Sequence, residues 1–447
     1  MAQKQDKQDI LERLIAAAKR AGADAADALL LEGVSAGVSY RLGKLEDVER
    51  AESRDLGLRV FVGARVAFVS STDLSKDRLA ELPERAVAMA KLAPEDKYAG
   101  LAPKELLARD WPALDLEDPG EPSTETLIER AKTIEGSAMA VPGISNSEGG
   151  GASFGRTAIW LATSEGFSGG YAATSHSIGV AVLAGEGTAM ERDYDESSAR
   201  HAADMESPEL VGKRAGERTV KRLNPRQAKS QRAPVVYDPR VSASLVGSFA
   251  GAISGSSIAR GVSFLKDRMG QAVFGPSINI IDDPHRMRGQ RSRPFDGEGV
   301  ANRKMALIEN GVLQCWLLDT ASAKQLGLTT NGHAGRGTGG PPAPTATNLY
   351  MAPGKLSRDE LIADIKEGLY VTETMGFGVN GVTGDYSQGA AGYWIENGKI
   401  AYPVSGVTIA SNLKDMFLNL TPASDLQFRH GINAPTIRVE GMTIAGA

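Results

Sequence analysis

Between residues 143 and 197 the chain reads GISNSEGGGASFGRTAIWLATSEGFSGGYAATSHSIGVAVLAGEGTAMERDYDES. Apolar and polar residues alternate along it, and Gly- and Ser-rich turns break the alternation into runs. A period of two sends alternate side chains to opposite faces of a strand, and the short turns return the chain on itself. The stretch is therefore expected to form a meander of antiparallel strands whose apolar face needs a cover. The same signature recurs upstream in DALLLEG, VSYRLGKLEDVERAE, LGLRVFVG and RVAFVSST, and FVGARVAF reads as a hairpin. Helical spacing supplies the cover. Ile10, Leu14, Ile15 and Ala18 predict a helix over about 8–22, and Leu79, Leu82, Ala86 and Met89 predict one over about 75–92. Further helices are expected near 123–138 and in SPELVGKRAGERTVKRL, where Ser207 is the N-cap and Pro208 the first helical residue.

A chain of 447 residues exceeds the size at which a single core usually stops growing. The basic, turn-rich NPRQAKSQRAP places a domain boundary near residue 228. The expected fold class is α+β: an N-terminal α/β domain with an antiparallel sheet over 1–228, then a β-rich C-terminal domain over 229–447. PVVYD opens the second domain as a strand. Short strands and turns follow, with helical signals in TASAKQLG and SRDELIADIKEGL. The formal net charge of −5 gives no reason to expect nucleic acid or an anionic membrane as partner. The single cysteine, Cys315, fits a reducing compartment, and no run of about 18 uncharged apolar residues is present to span a membrane. A soluble, cytoplasmic protein is expected.

SASLVGSFAGAISGSSIARG, from residue 242, reads as a helix with Leu245, Phe249 and Ile253 on one face and Gly247, Gly251 and Gly255 roughly opposite. Each glycine costs about 1 kcal/mol against alanine in a helix interior. That face carries nothing reactive.

Chemistry is sparse elsewhere. The five histidines, His176, His201, His285, His333 and His430, show no neighbouring-ligand spacing. In DDPHRMRGQRSR, Asp282, Asp283 and His285 stand close in sequence, but Asp-Pro turns in a solvated loop explain them equally well. NGHAGRGTGG lacks the G-K-[ST] ending of a phosphate loop, and the serines of YSQGAAGYW and PVSGVTIAS lack the strand–elbow–helix setting of a G-x-S-x-G nucleophile. Cys315 reads as a buried, inert thiol.

Three long stretches carry a resemblance: SFLKDRMGQAVFGPSINIIDDPHRMRG, SRPFDGEGVANRKMALIENGVLQCWLLDTASAKQLGLTTNGHAGRG and MGFGVNGVTGDYSQGAAGYWIENGKIAYPVSGVTIASNL. With the closing NAPTIRVEGMTIAG, they resemble the TldD/PmbA metalloproteases, in particular the PmbA (TldE) branch. The resemblance spans essentially the whole chain. It implies a cytosolic assembly of two related subunits around a proteolytic chamber that matures peptide precursors or degrades labile antitoxins and other unfolded peptides. In that family the TldD-type subunit holds zinc through an H-E-x-x-x-H helix and a C-terminal cysteine.

Aligned on ARGVSFL, those motif slots fall near Val246, Gly247 and Gly251, and no histidine or glutamate occurs from Val241 to Phe264. The cysteine slot falls near FRHGINAP, which offers Arg429 and His430. The resemblance thus implies a subunit with no catalytic or metal-binding residues of its own, zinc being held by a TldD-type H-E-x-x-x-H partner. Unfolded peptides are the expected substrates and a homodimer the expected form of the chain alone. Asn331, His333, Arg336, Asp385, Tyr386 and Tyr393 are the candidates for contact with peptide or partner. Two alternatives stay open: a self-contained metallopeptidase using His285, His333, Asp385 and His430, and a peptide-binding scaffold.

Overall fold

The computed structural model describes residues 2–376 and 378–446, with the side chains of residues 2–5 left out. The N-terminal half runs α1 (Ala2–Arg20), β1 (Ala25–Arg41), β2 (Lys44–Val62), β3 (Arg65–Ser71), α2 (Lys76–Leu92), α3 (Thr124–Met139), β4 (Ile144–Thr163), β5 (Ser168–Ala184), β6 (Glu191–Ala199) and α4 (Pro208–Lys221). Its six strands form one antiparallel sheet in the order β3-β2-β1-β4-β5-β6. As the alternation requires, one face is apolar and is covered by helices at both ends. Leu11, Leu14 and Ile15 of α1, with Leu82 and Ala86 of α2, pack on Ala28, Leu30, Leu58 and Val60. Leu127 and Ile134 of α3, with Val211 of α4, pack on Ala152, Ile178 and Val180. Ser207 caps α4 through Leu210 N, and Pro208 takes the first turn.

The second half runs β7 (Gln231–Tyr237), α5 (Pro239–Ala252), α6 (Gly255–Ala259), β8 (Ile280–Asp282), β9 (Met305–Glu309), β10 (Val312–Leu313), α7 (Thr320–Leu326), β11 (Ala334–Gly335), β12 (Ala343–Pro344), β13 (Leu349–Met351) and α8 (Arg358–Ile362). It ends with β14 (Glu367–Met375), β15 (Asp385–Glu396), β16 (Lys399–Asn412), α9 (Leu413–Leu418), β17 (Leu420–Pro422), β18 (Ile432–Asn433) and β19 (Ile437–Ala445). Strand β7 pairs in parallel with β14 and antiparallel with β19. Because β19 also pairs with β16, and β15 joins β16 to β14, five strands close on themselves. The resulting architecture is α+β with a β-rich C-terminal half.

The glycine-bearing segment is two helices rather than one. Helix α5 stops at Ala252 because Ile253 O accepts from Leu317 N and Gly255 N donates to Leu317 O, which pulls residues 253–255 into a bridge with a neighbouring segment. The expected helix in SRDELIADIKEGL is likewise short. Ser357 and Glu360 form a capping box, but α8 ends at Ile362 and β14 begins at Glu367, where pairing with β7 and β15 takes over.

The two halves share a buried boundary. The sheet face opposite the helices presents Leu29, Leu161 and Phe167 to Phe295 and Val300. The Phe167 and Phe295 rings meet edge to face with centroids 4.8 Å apart. Beside them Asp27 is fully buried between Arg59 and Arg336.

Candidate functional site

Helix α5 starts at Pro239 with Asp238 as N-cap, its side chain accepting from Arg240 N at 3.0 Å. Leu245, Phe249 and Ile253 are buried in the C-terminal core, as their four-residue spacing predicts. The Phe249 ring meets Phe274 edge to face at 5.3 Å, and Phe274 stacks on Phe417 at 4.4 Å. The three glycines part company. Gly251 is exposed with open space where a Cβ would stand. A Cβ on Gly247 would meet Ile432 Cδ1 at 3.8 Å, an ordinary contact. Gly255 belongs to α6 and is buried against α7, so it has no part in the exposed face. Val246 is 1% exposed and points into the core. Of the three motif slots, then, two lie on a small, accessible helix surface and one does not.

The six candidates for peptide or partner contact are dispersed, and three of them face inward. His333 is buried, with Nε2 3.2 Å from Asp282 Oδ2 and Nδ1 2.9 Å from Asn331 Oδ1. Asn331 itself ties down the chain: its Oδ1 accepts from Leu318 N at 3.0 Å and its Nδ2 donates to Trp316 O at 2.8 Å. The Arg336 side chain is 2% exposed and pairs with Asp27 Oδ1 at 2.7 Å. Tyr386 is buried in the core, and burial lifts its phenol to about 12. Only Asp385 is exposed, its carboxylate accepting from Thr383 Oγ1 at 2.6 Å and Asn412 Nδ2 at 3.1 Å. Tyr393 is half-buried opposite Tyr370.

The glycine-rich loop after His333 joins the two halves. Thr338 Oγ1 donates to Asp55, and the Thr338 backbone lies where a Cβ on Gly57 of β2 would stand, which only glycine permits. Inside this boundary Glu298 is buried, and its Oε2 accepts from Thr320 N at 2.8 Å and Thr320 Oγ1 at 2.7 Å. Burial first, then the neighbouring Asp296 carboxylate, push Glu298 up to about 7. Asp27 goes the other way. Burial would raise its carboxyl, but Arg336 and Arg59 together hold it below the usual carboxylate range.

Among the described residues no group of three or more His, Cys, Asp or Glu side chains could hold a metal ion. His285 Nε2 is 2.7 Å from Asn302 Oδ1, and His430 is exposed, 3.9 Å from Glu196. His285, His333, Asp385 and His430 therefore do not assemble a ligand set. The described residues of this chain do not fit a catalytic zinc ion.

Reasoning from the sequence missed the arginines that gather beside the α5 N-terminus. Arg214, Arg218 and the C-cap residue Arg222 recur every four residues, which puts them along one side of α4. Arg214 and Arg218 both reach Asp195, while Arg222 pairs with Glu373 at 2.7 Å. Arg240 of α5 adds a link to Asp193 at 2.8 Å. The i, i+4, i+8 spacing was the available signal. A separate cavity of about 670 Å³ lies between residues 111–117 and strands β4 and β5, and no residue of α5 lines it.

Family models match the chain in three consecutive segments. PmbA/TldA metallopeptidase domain 1 covers residues 26–90, the PmbA/TldA metallopeptidase central domain 117–223, and the PmbA/TldA metallopeptidase C-terminal domain 230–446. The chain is 39% identical over 425 residues to the metalloprotease PmbA of Escherichia coli O157:H7, covering 95% of this chain and 92% of that protein. It is 36% identical over 450 residues to the metalloprotease PmbA homolog of Haemophilus influenzae, covering 100% of this chain and 97% of that one. The crystal structure of TldE from Thermococcus kodakarensis has the same fold, with a TM-score of 0.86 at 21% identity over 97% of this chain and 99% of that one. The chain belongs to the PmbA/TldD metallopeptidase family.

Proposed function

We propose that the chain is a non-catalytic subunit of a TldD/TldE-like cytoplasmic protease, pairing with a subunit that carries H-E-x-x-x-H and the zinc. Its part is to wall the chamber and to hold unfolded peptide beside the partner's metal. One observation carries this reading. The helix in the motif's place keeps a packed inner face of Leu245, Phe249 and Ile253, while its accessible Gly247 and Gly251 offer no donor atom. A metal-activated water needs about three protein ligands and a nearby base. A helix surface of glycine instead suits close approach by another backbone. The self-contained metallopeptidase loses ground because its four candidate ligands stand apart. No described helix is long and apolar enough to cross a membrane.

The test is purification of the chain alone and with a co-expressed TldD-type partner, followed by zinc analysis and cleavage of an unstructured peptide. A stable complex is expected, with zinc and activity only in the co-purified sample. Stoichiometric zinc with activity in the lone chain would refute the proposal. Absence of any complex would leave the scaffold reading in its place.

A further inference from the structure

A cavity of about 320 Å³ opens at the N-terminal end of α5, between α4, β14 and the segment leading into β18. Five arginines line it, Arg214, Arg218, Arg240, Arg358 and Arg429, against two carboxylates, Asp238 and Asp425. Both carboxylates are already engaged. Asp238 accepts from Arg240 N and from the Tyr370 hydroxyl at 2.8 Å, and Asp425 accepts from Thr436 N at 2.8 Å and Thr436 Oγ1 at 2.7 Å. The acids that offset the arginines, Asp193 and Asp195, are 3% exposed and do not line the cavity. Glu206 takes a two-pronged hydrogen bond from Arg214, both contacts at 2.9 Å. The cluster is close to neutral as a whole, and Arg358 and Arg429 have acid partners too, Asp359 at 2.8 Å and Glu206 at 3.3 Å, but neither of these acids lines the cavity, whereas the guanidinium-bearing residues do. Such a wall presents charged, planar donors to an oxyanion, and the first turn of α5 adds its positive end.

The rest of the lining says which oxyanion. Pro239, Ile432 and Ala434 supply an apolar floor beside the arginines. Ile432 is also the side chain next to Gly247 on the accessible face of α5. From Arg240 to Gly247 the helix rises ~10 Å at its usual pitch. About three residues of extended chain cover that length.

The geometry points to a pocket for the C-terminal carboxylate and apolar last side chain of a peptide that lies along α5. This rests on the reading of α5 as a wall against which peptide is held. It adds a polarity: the peptide would run with its C-terminus toward Arg429 and its preceding residues over Gly247 and Gly251.

The experiment is calorimetric titration of the lone chain with acetyl-Ser-Gly-Ser-Gly-Leu as the free acid, with the same peptide as its C-terminal amide, and with inorganic phosphate. The free acid should bind at least tenfold more tightly than the amide, and added salt should weaken it. The double variant R358Q/R429Q should lose that preference while keeping the unfolding temperature of the parent, since both arginines are partly exposed. Equal binding of acid and amide, binding of phosphate without the peptide, or no binding of either peptide would overturn the assignment. So would an acid preference that survives in the double variant. None of these readouts needs a partner subunit. A chain that binds the free acid but forms no complex would thus refute the proposed subunit role and leave the pocket standing.

Discussion

A Cβ built on Gly255 would stand 2.6 Å from Ser322 Oγ and 2.8 Å from the carbonyl oxygen of Leu317. The hydroxyl can turn away, but the carbonyl is fixed, because it accepts the hydrogen bond from Gly255 N that ends α5. Gly255→Ala is therefore expected to destabilise the protein by ~1–3 kcal/mol, the usual range for overpacking a filled site. Gly251→Ala should be neutral or stabilising by up to ~1 kcal/mol, since its surroundings are open and alanine is the better helix former. Urea melts of the two variants check the contrast. Gly251→Leu, which also folds into open space, should instead weaken co-purification with a TldD-type partner or peptide cleavage by the complex.

Glu298 makes the folded state pH-sensitive. Its carboxyl is raised from 4.5 to about 7, so between those values the folded chain holds a proton that the unfolded chain has released. Its contribution is greatest below the unfolded value, declines as pH rises through that window, and is flat above it. Over a shift of this size the change is ~2–4 kcal/mol at 1.36 kcal/mol per unit. Glu298→Gln, which keeps an oxygen for Thr320, should flatten this slope and melt higher than the parent at pH 8. Equal pH profiles for parent and variant would contradict the assignment.

Asp27 has the opposite sign. Its carboxyl is lowered by Arg336 and Arg59, so its stabilising effect is present above the unfolded value and is lost as pH falls through the lower folded one. Asp27→Asn would leave two buried guanidinium groups short of an anion. A loss of ~3–5 kcal/mol is expected, as when one member of a buried pair is removed. Thermal unfolding at pH 7 measures it directly.

Cys315 should behave as packing rather than as a nucleophile. Burial is the first cause that pushes its thiol up to about 11, so little thiolate exists near neutral pH. Iodoacetamide at pH 7.5 is expected to label it slowly in the native protein and fully in urea. Rapid native labelling would show an accessible, activated thiol.

What could be read before the structure was known is largely what is local. The meander, the Ser207–Pro208 helix start and the buried trio Leu245, Phe249 and Ile253 all follow from spacing within a few residues. The inward turn of His333 and Arg336 does not. Their partners, Asp282 and Asp27, lie far upstream, and only the folded chain brings them within reach. In the sequence both residues sit in a glycine-rich, polar segment, the usual mark of an exposed loop. The break after α5 was hidden for the same reason, since its cause is Leu317 on another segment. The arginine pocket joins α4 to residues around 358 and 429, and only the spacing within α4 was visible.

Strand β19 sits between β7 and β16 and closes the five-strand ring. During synthesis β7 emerges about two hundred residues earlier than β19, and at ~5–20 residues per second that interval is at least ~10 s. Throughout it β7 has an open edge, joined late in the interval by the unpaired margin of β16, and both are prone to wrong pairing. The N-terminal sheet, whose strands all precede residue 200, is free to fold first. A nascent chain arrested before residue 437 should therefore present a folded first half and a protease-sensitive, chaperone-bound second half.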